Sequence, residues 1–212
     1  MEGVRRAGAR AAPAARRRGA RRRLPEDVRR RGRSGYRDAF QDREHDAMIE
    51  YFRRILNDQF DASLCTLGAC VEACPEPHWE GTIGRRPFWQ VAYHTLFYVD
   101  LYLSLDEASY EPRPWHRQGD QNLDLDAAPG PPHSKDVVRR YVAHCSDKVA
   151  KTIVVETPDS LERDSGFPWY RMSRGEHHLT SVRHVQHHAG QLCAYLRREV
   201  GLGVDWYGKA SD

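Results

Sequence analysis

No run of apolar residues in this chain approaches the roughly 20 needed to cross a bilayer, and no apolar stretch follows the start as a secretory signal requires. The expectation is a soluble, cytoplasmic protein that does not engage membranes. Cysteine is scarce and odd in number: Cys65, Cys70, Cys74, Cys145 and Cys193, with no C-x-x-C pair. That pattern argues against a disulfide framework and against a zinc ribbon. Cys70 and Cys74 lie four apart on an expected helix, a spacing that could hold a metal. Such residues are more often small buried hydrophobes, and that reading is preferred. Strand patterns, internal repeats and a second domain are also missing. With 212 residues, 40% of them hydrophobic, the chain suits one domain with one core plus an appendage.

The appendage is the start. Residues 1–33 hold thirteen Arg against Glu2, Glu26 and Asp27, ten positive charges in excess, so a chain of net charge +3 carries −7 beyond them. A basic, Ala/Gly-rich stretch without apolar periodicity buries too little surface to offset its ordering entropy, which predicts a disordered basic arm over 1–41. Three roles compete for it. Its charge suits nucleic acid or an anionic surface, and its Arg-rich, acid-poor composition suits a transit peptide. The third reading, that translation starts at Met48, is preferred, because the arm has no aromatic or apolar anchor to make binding specific. A nucleic-acid partner is therefore not expected.

From about residue 42 apolar residues recur at helical spacing: Met48, Phe52, Ile55, Leu56, Phe60, Leu64, Leu67 and Val71. This is a long first helix, stopped before Pro75. A second runs from Pro87, in a first-turn position, to about Leu105. Residues 106–133 hold five Pro and form a loop far longer than a simple connection, a common sign of function. Ser134 can cap a third helix with the stripe Val138, Val142, Cys145, Val149 and Ile153, ended by Pro158. After a second irregular connection the fourth helix runs from about Thr180 to Val200 and stops at Gly201. The pattern predicts an all-α four-helix bundle over residues 42–205.

The fourth helix is rich in imidazole. In "SVRHVQHHAGQLCAYLRRE", His184 and His188 are one turn apart, only 40° around the axis, at the margin of the stripe Val182, Val185, Ala189, Leu192 and Leu196. Two His at i and i+4 can aim nitrogens at one ion. No Glu follows His184, so the zinc-protease motif H-E-x-x-H and its mechanism are excluded. His94, on a face with Val91, Tyr98 and Leu101, points to apolar surroundings where an imidazole needs a partner. A satisfied core histidine is the plain alternative, but together the three suggest a metal site between the second and fourth helices. Three neutral imidazoles leave a coordination position free, as in catalytic rather than structural sites, so that water or a thiol can bind and lose its proton. Tyr98, Tyr141, Gln191 and Tyr195 are within reach of such a pocket, and no Asp or Glu clearly shares the ligand face. His177, His178 and His187 read as solvent-facing or capping residues. Trp115, Trp169 and Tyr170 could line the pocket from the two long loops, or merely pin irregular backbone.

A lone His in "AYHTLFYVDLYL", followed much later by "RHVQHHAGQL", in which H-x-x-x-H runs into Gly190 and Gln191, resembles the DinB-like superfamily of metal-binding four-helix bundles. The resemblance covers about residues 44–200. It implies His94, His184 and His188 as ligands of a divalent ion, with nickel, zinc and iron all plausible, and frequent homodimerisation. It also implies a small-molecule substrate and a reaction of S-transferase or hydrolase type, using a low-molecular-weight thiol cofactor or metal-bound water. The Arg-rich start and the Pro-rich loop depart from the family pattern and leave the substrate open. Two other readings stand beside the enzyme: a non-enzymatic bundle whose metal supports folding or sensing, and an interaction protein acting through the basic arm.

Overall fold

The computed structural model describes residues 26–124, 128 and 130–209, with side chains from residue 46 onward. It divides into two units, Met1–Glu44 and His45–Asp212, and the second holds the core and the candidate site. The elements are α1 (Glu26–Ala73), a hairpin of β1 (Thr82–Ile83) and β2 (Arg86–Pro87), α2 (Phe88–Tyr102), α3 (Lys135–Ile153), the short α4 (Pro158–Glu162) and α5 (Arg174–Tyr195). The four long helices make an all-α bundle, as the periodicity predicts. Among the described residues no helix is long and apolar enough to cross a membrane.

Helix α2 is the middle of the bundle. All but two of its residues are buried, and it packs on α3 and α5. Helix α1 closes the opposite side, joined to α3 by the Glu72 to Arg139 ion pair and by Lys135 Nζ donating to the Cys74 carbonyl at 2.6 Å. It meets α5 where Phe60 stands edge-on to His178. Leu56, Phe60, Leu64, Leu67 and Val71 bring the α1 stripe into the core, and Val138, Cys145, Val149 and Ile153 bring that of α3. Ser134 caps α3 by accepting from the Val137 amide, as its side chain predicts.

Three expectations shift. Helix α1 begins at Glu26, earlier than residue 42; residues 26–41 are charged and lack the apolar stripe on which a periodicity reading depends, while Glu26 and Asp27 suit a first helical turn. The remainder of the basic arm, residues 1–25, lies outside the described residues. Met48, counted in the α1 stripe, is 66% exposed, and the buried stripe starts two turns later, at Leu56. Helix α5 starts at Arg174, earlier than Thr180, because Ser173 and Glu176 form a reciprocal capping box: the Ser173 hydroxyl accepts from the Glu176 amide and the Glu176 carboxylate accepts from the Ser173 amide. At its other end α5 widens into a π turn, Leu196–Val200, and stops at Gly201 in the left-handed conformation, φ 75°.

The Pro-rich loop after α2 is tied down at two places. Asp100, wholly buried on α2, accepts from Lys148 Nζ at 2.7 Å and from Tyr141, lies 3.0 Å from His144 Nε2, and reaches Arg113 and Tyr110 of the loop. Further along, Asp120 is buried between His133, at 2.8 Å, and Arg117, at 2.6 Å. A single carboxylate satisfied by several cations can be buried at tolerable cost only because none of its lone pairs is left unpaired.

Candidate metal centre

His94 from α2 and His184 and His188 from α5 come together at the α2 to α5 interface. One ring nitrogen of each lies within 4.8 Å of the other two, and among the described residues these three alone form such a group. The Nε2 atoms of His94 and His184 are 3.2 Å apart. Two nitrogens held at about 2.05 Å with a tetrahedral angle between them stand roughly 3.3 Å apart, so this pair already has the spacing of ligands on one ion.

Neighbouring groups settle which nitrogens are free. His94 Nδ1 donates to the Gln121 carbonyl at 2.6 Å, which leaves Nε2 with its lone pair exposed. His188 Nδ1 donates to Gln191 Oε1 at 2.9 Å, freeing its own Nε2, and Gln191 Nε2 donates in turn to His187 at 3.1 Å. Such outer contacts fix tautomer and ring orientation in metal sites. Gln121 is itself held: the Gln90 side chain donates to the carbonyls on either side of it, Asp120 at 3.3 Å and Asn122 at 2.9 Å. Burial pushes the His94 pKa down to about 4, the hydrogen bond to Gln121 notwithstanding, and that of His184 to about 3 with help from the neighbouring imidazoles. His188 is lowered for the same first reason. All three are therefore neutral at pH 7, the form that binds metal. His184 Nδ1 is buried without a hydrogen-bond partner among the described residues. The donor set, spacing and tautomers fit a divalent ion.

The cluster forms the floor of an open cavity of about 1100 Å³, counting its solvent-filled mouth. Helix α2 contributes Phe97, Tyr98, Leu101 and Tyr102; the Pro-rich loop contributes Glu107, Tyr110 and Gln121; the second loop contributes Trp169 and Tyr170. Tyr98 stands against both His94 and His184. The model matching this chain is that of the DinB superfamily, over residues 59–192. The chain belongs to the DinB superfamily. Curated proteins and solved structures give no match to it. In this DinB-superfamily member the matched segment includes all three histidines.

Of the side chains expected near the pocket, Tyr98, Trp169 and Tyr170 line it and Gln191 braces His188. Three do not. The Tyr141 hydroxyl is buried against Asp100, and Trp115 packs edge-on against that same ring from the loop, 5.8 Å away. Tyr195 turns to the far end of α5, where its hydroxyl meets His78 Nδ1 at 3.0 Å; a Cβ on Gly81 would stand 1.8 Å from that oxygen, so glycine is needed there. His177 and His178 are both 1% exposed, which corrects the solvent-facing expectation: the earlier start of α5 rotates them inward. His187 is exposed, as expected. Phe97 shares the helical face of His94 and was within reach of the spacing argument. Gln90, Glu107 and Gln121 carried no signal, since their roles depend on where an irregular loop lies.

Proposed function

We propose that this chain is a metal-dependent enzyme in which His94, His184 and His188 hold one divalent ion, nickel, zinc or iron, at the floor of the aromatic cavity. Its reaction is of the S-transferase or hydrolase type, on a small-molecule substrate, with a low-molecular-weight thiol or water as nucleophile. The observation that carries this reading is the convergence of three neutral imidazoles, with no protein carboxylate or thiol among them, on a cavity large enough for a small molecule. When bound, such an ion supplies Lewis acidity, lowering the pKa of a thiol or water so that a nucleophile is available near neutral pH.

The chain's own residues supply the rest. Gln121 and Gln191 hold His94 and His188 in the tautomers that present Nε2. Phe97, Tyr102, Trp169 and Tyr170 give the substrate an apolar, largely aromatic wall and thin the water around the reacting atoms. Glu107, at the rim, is the acidic side chain of the lining and the candidate to accept a proton from an incoming group. The same proposal takes the protein as cytoplasmic and homodimeric, with neither membrane nor nucleic acid as partner.

The test is a cobalt-loaded protein titrated with 2-mercaptoethanol and followed by absorption. A sulfur-to-cobalt charge-transfer band that saturates with thiol supports an exchangeable position. Cobalt that binds stoichiometrically but never responds to thiol or to a pH change points instead to the non-enzymatic bundle.

A further inference from the structure

The metal centre uses none of the cysteines, yet two of them meet elsewhere in the bundle. Cys70 on α1 is fully buried, Cys193 on α5 is half-buried, and their Sγ atoms are 3.2 Å apart. No other pair of thiols is in hydrogen-bond contact among the described residues: Cys145 reaches the Leu96 carbonyl and Cys74 the Pro75 carbonyl. We infer that Cys70 and Cys193 form a redox-active dithiol, converted by hydrogen peroxide into a disulfide that staples α1 to α5.

Three features support this. A disulfide needs sulfurs about 2.05 Å apart, so closure requires roughly 1 Å of travel, within reach of side-chain rotation. The helices are already in register, because the Cys70 thiol also lies 3.9 Å from the Ala189 carbonyl, one turn before Cys193. The pair is asymmetric as well: Cys193 is open to a small oxidant while Cys70 waits behind it. The contact with Cys70 and, one turn further on, Arg197 hold the Cys193 pKa below the usual thiol range against the effect of burial. The bond to Cys193 and burial push Cys70 upward. The half-buried partner is thus the one that more readily gives the thiolate, which is the reactive form.

The chemistry balances. The Cys193 thiolate attacks one oxygen of peroxide and breaks the O–O bond, giving a sulfenic acid and hydroxide, which leaves as water after taking a proton. Cys70 Sγ then attacks the Cys193 sulfur; its S–H proton goes to the departing hydroxide, and a second water leaves. Two thiols and one peroxide become one disulfide and two waters, the cysteines losing the two electrons that the peroxide gains. The link lies two residues beyond Gln191, the brace of His188, and fixes that turn of α5 to α1.

The experiment treats the reduced full-length protein with graded hydrogen peroxide, quenches with catalase, and reads intact mass, free thiols and non-reducing peptide maps. The expected result is loss of two of the five free thiols, a mass lower by two hydrogens, and a peptide joining Cys70 to Cys193. The thermal midpoint should rise by roughly 5 °C or more and return with reductant. Cys193→Ser, a change on the half-buried side, should abolish the mass loss, and Cys70→Ala should leave Cys193 to stop at a sulfenic or further oxidised form. Cross-linked peptides between other cysteines, oxidation of wild-type Cys193 to sulfinic acid without linkage, or five thiols surviving peroxide that oxidises an exposed cysteine in a control peptide would each overturn the proposal. None of these readouts depends on metal.

Discussion

Helix α5 carries two pairs of histidines that differ in what faces them. His177 and His178, near its start, are closed in: His178 Nε2 lies 3.0 Å from Glu156, whose other partners include Arg174 at 2.6 Å, while His177 is boxed by Tyr102, Phe167 and Tyr170. His184 and His188, two turns on, have no carboxylate, meet a third imidazole, and open to a cavity. Burial lowers the pKa in both pairs. What separates a histidine that holds the fold from one that can hold an ion is therefore not basicity. It is the presence of a counter-charge and the absence of an opening.

The comparison breaks most sharply at Glu156. It binds the Arg174 guanidinium and His178 and also accepts from the Ser160 hydroxyl of α4, while its carbonyl accepts from Arg53 of α1. Glu156→Ala would strand a buried guanidinium, so a loss of about 3–5 kcal/mol is expected in urea unfolding. The folded fraction should still take up metal with unchanged stoichiometry. If Glu156→Ala abolished metal uptake in folded protein, the two pairs would not be separate.

His188→Ala should do the reverse. With two ligands left, divalent-metal affinity should fall by about a hundredfold or more in chelator competition, while the metal-free protein loses only about 1–2 kcal/mol of stability. His187→Ala, one residue away but outside the cluster, should bind metal as the wild type does. Equal losses in both variants would return all three histidines to a packing role.

In the metal-free protein acid should act on both pairs over the same range, and the closed pair can be read separately. Burial holds the His177 pKa at about 4 and lowers that of His178, whereas the unfolded chain takes up these protons below about 6.5. The unfolded state then binds more protons, so this stability is present above pH 6.5 and drains away as the pH falls toward 4. Burial alone would raise Glu156, but the bonds from His178, Ser160 and Arg174 outweigh it and bring the carboxyl to about 2, so its contribution persists to lower pH and is lost between about 4.5 and 2. Urea unfolding of metal-free protein should show stability falling between pH 7 and 5, with about 2 kcal/mol of the fall from His177, and His177→Phe should remove that share. An unchanged pH slope in that variant would remove His177 from the account.

The smallest effect is the most specific to the open pair. Gln90→Ala releases the carbonyls that flank Gln121, and with them the acceptor that orients His94, so metal should bind about tenfold more weakly. The metal-free fold should change by only about 1 kcal/mol. A variant that loses stability but keeps its affinity would show that the loop, not the ligand, is what Gln90 serves.

The bundle and the three clustered histidines were legible because both rest on helical spacing: apolar stripes mark the faces, and His184 and His188 are one turn apart on one of them. His94 could be added because its own face was apolar. The limits fall where spacing stops. The capping box at Ser173 and Glu176 lies inside a stretch whose Gly, Pro and Ser read as irregular, and without that helical turn His177 and His178 read as solvent-facing. The meeting of Cys70 with Cys193, the reach of Asp100 to Arg113, and the Gln121 carbonyl on His94 join residues far apart in sequence through packing and loop path. No local pattern encodes them.

The three clustered histidines stand on two helices, whereas Glu107, Tyr110, Trp169 and Tyr170 stand on the loops around them. Asp100 and Asp120 anchor the first of those loops at fixed points, and side chains between the anchors are free to vary. Mutation can therefore remodel what the cavity admits without disturbing the histidine cluster, and a lineage built on this plan can change the shape of its cavity one loop residue at a time.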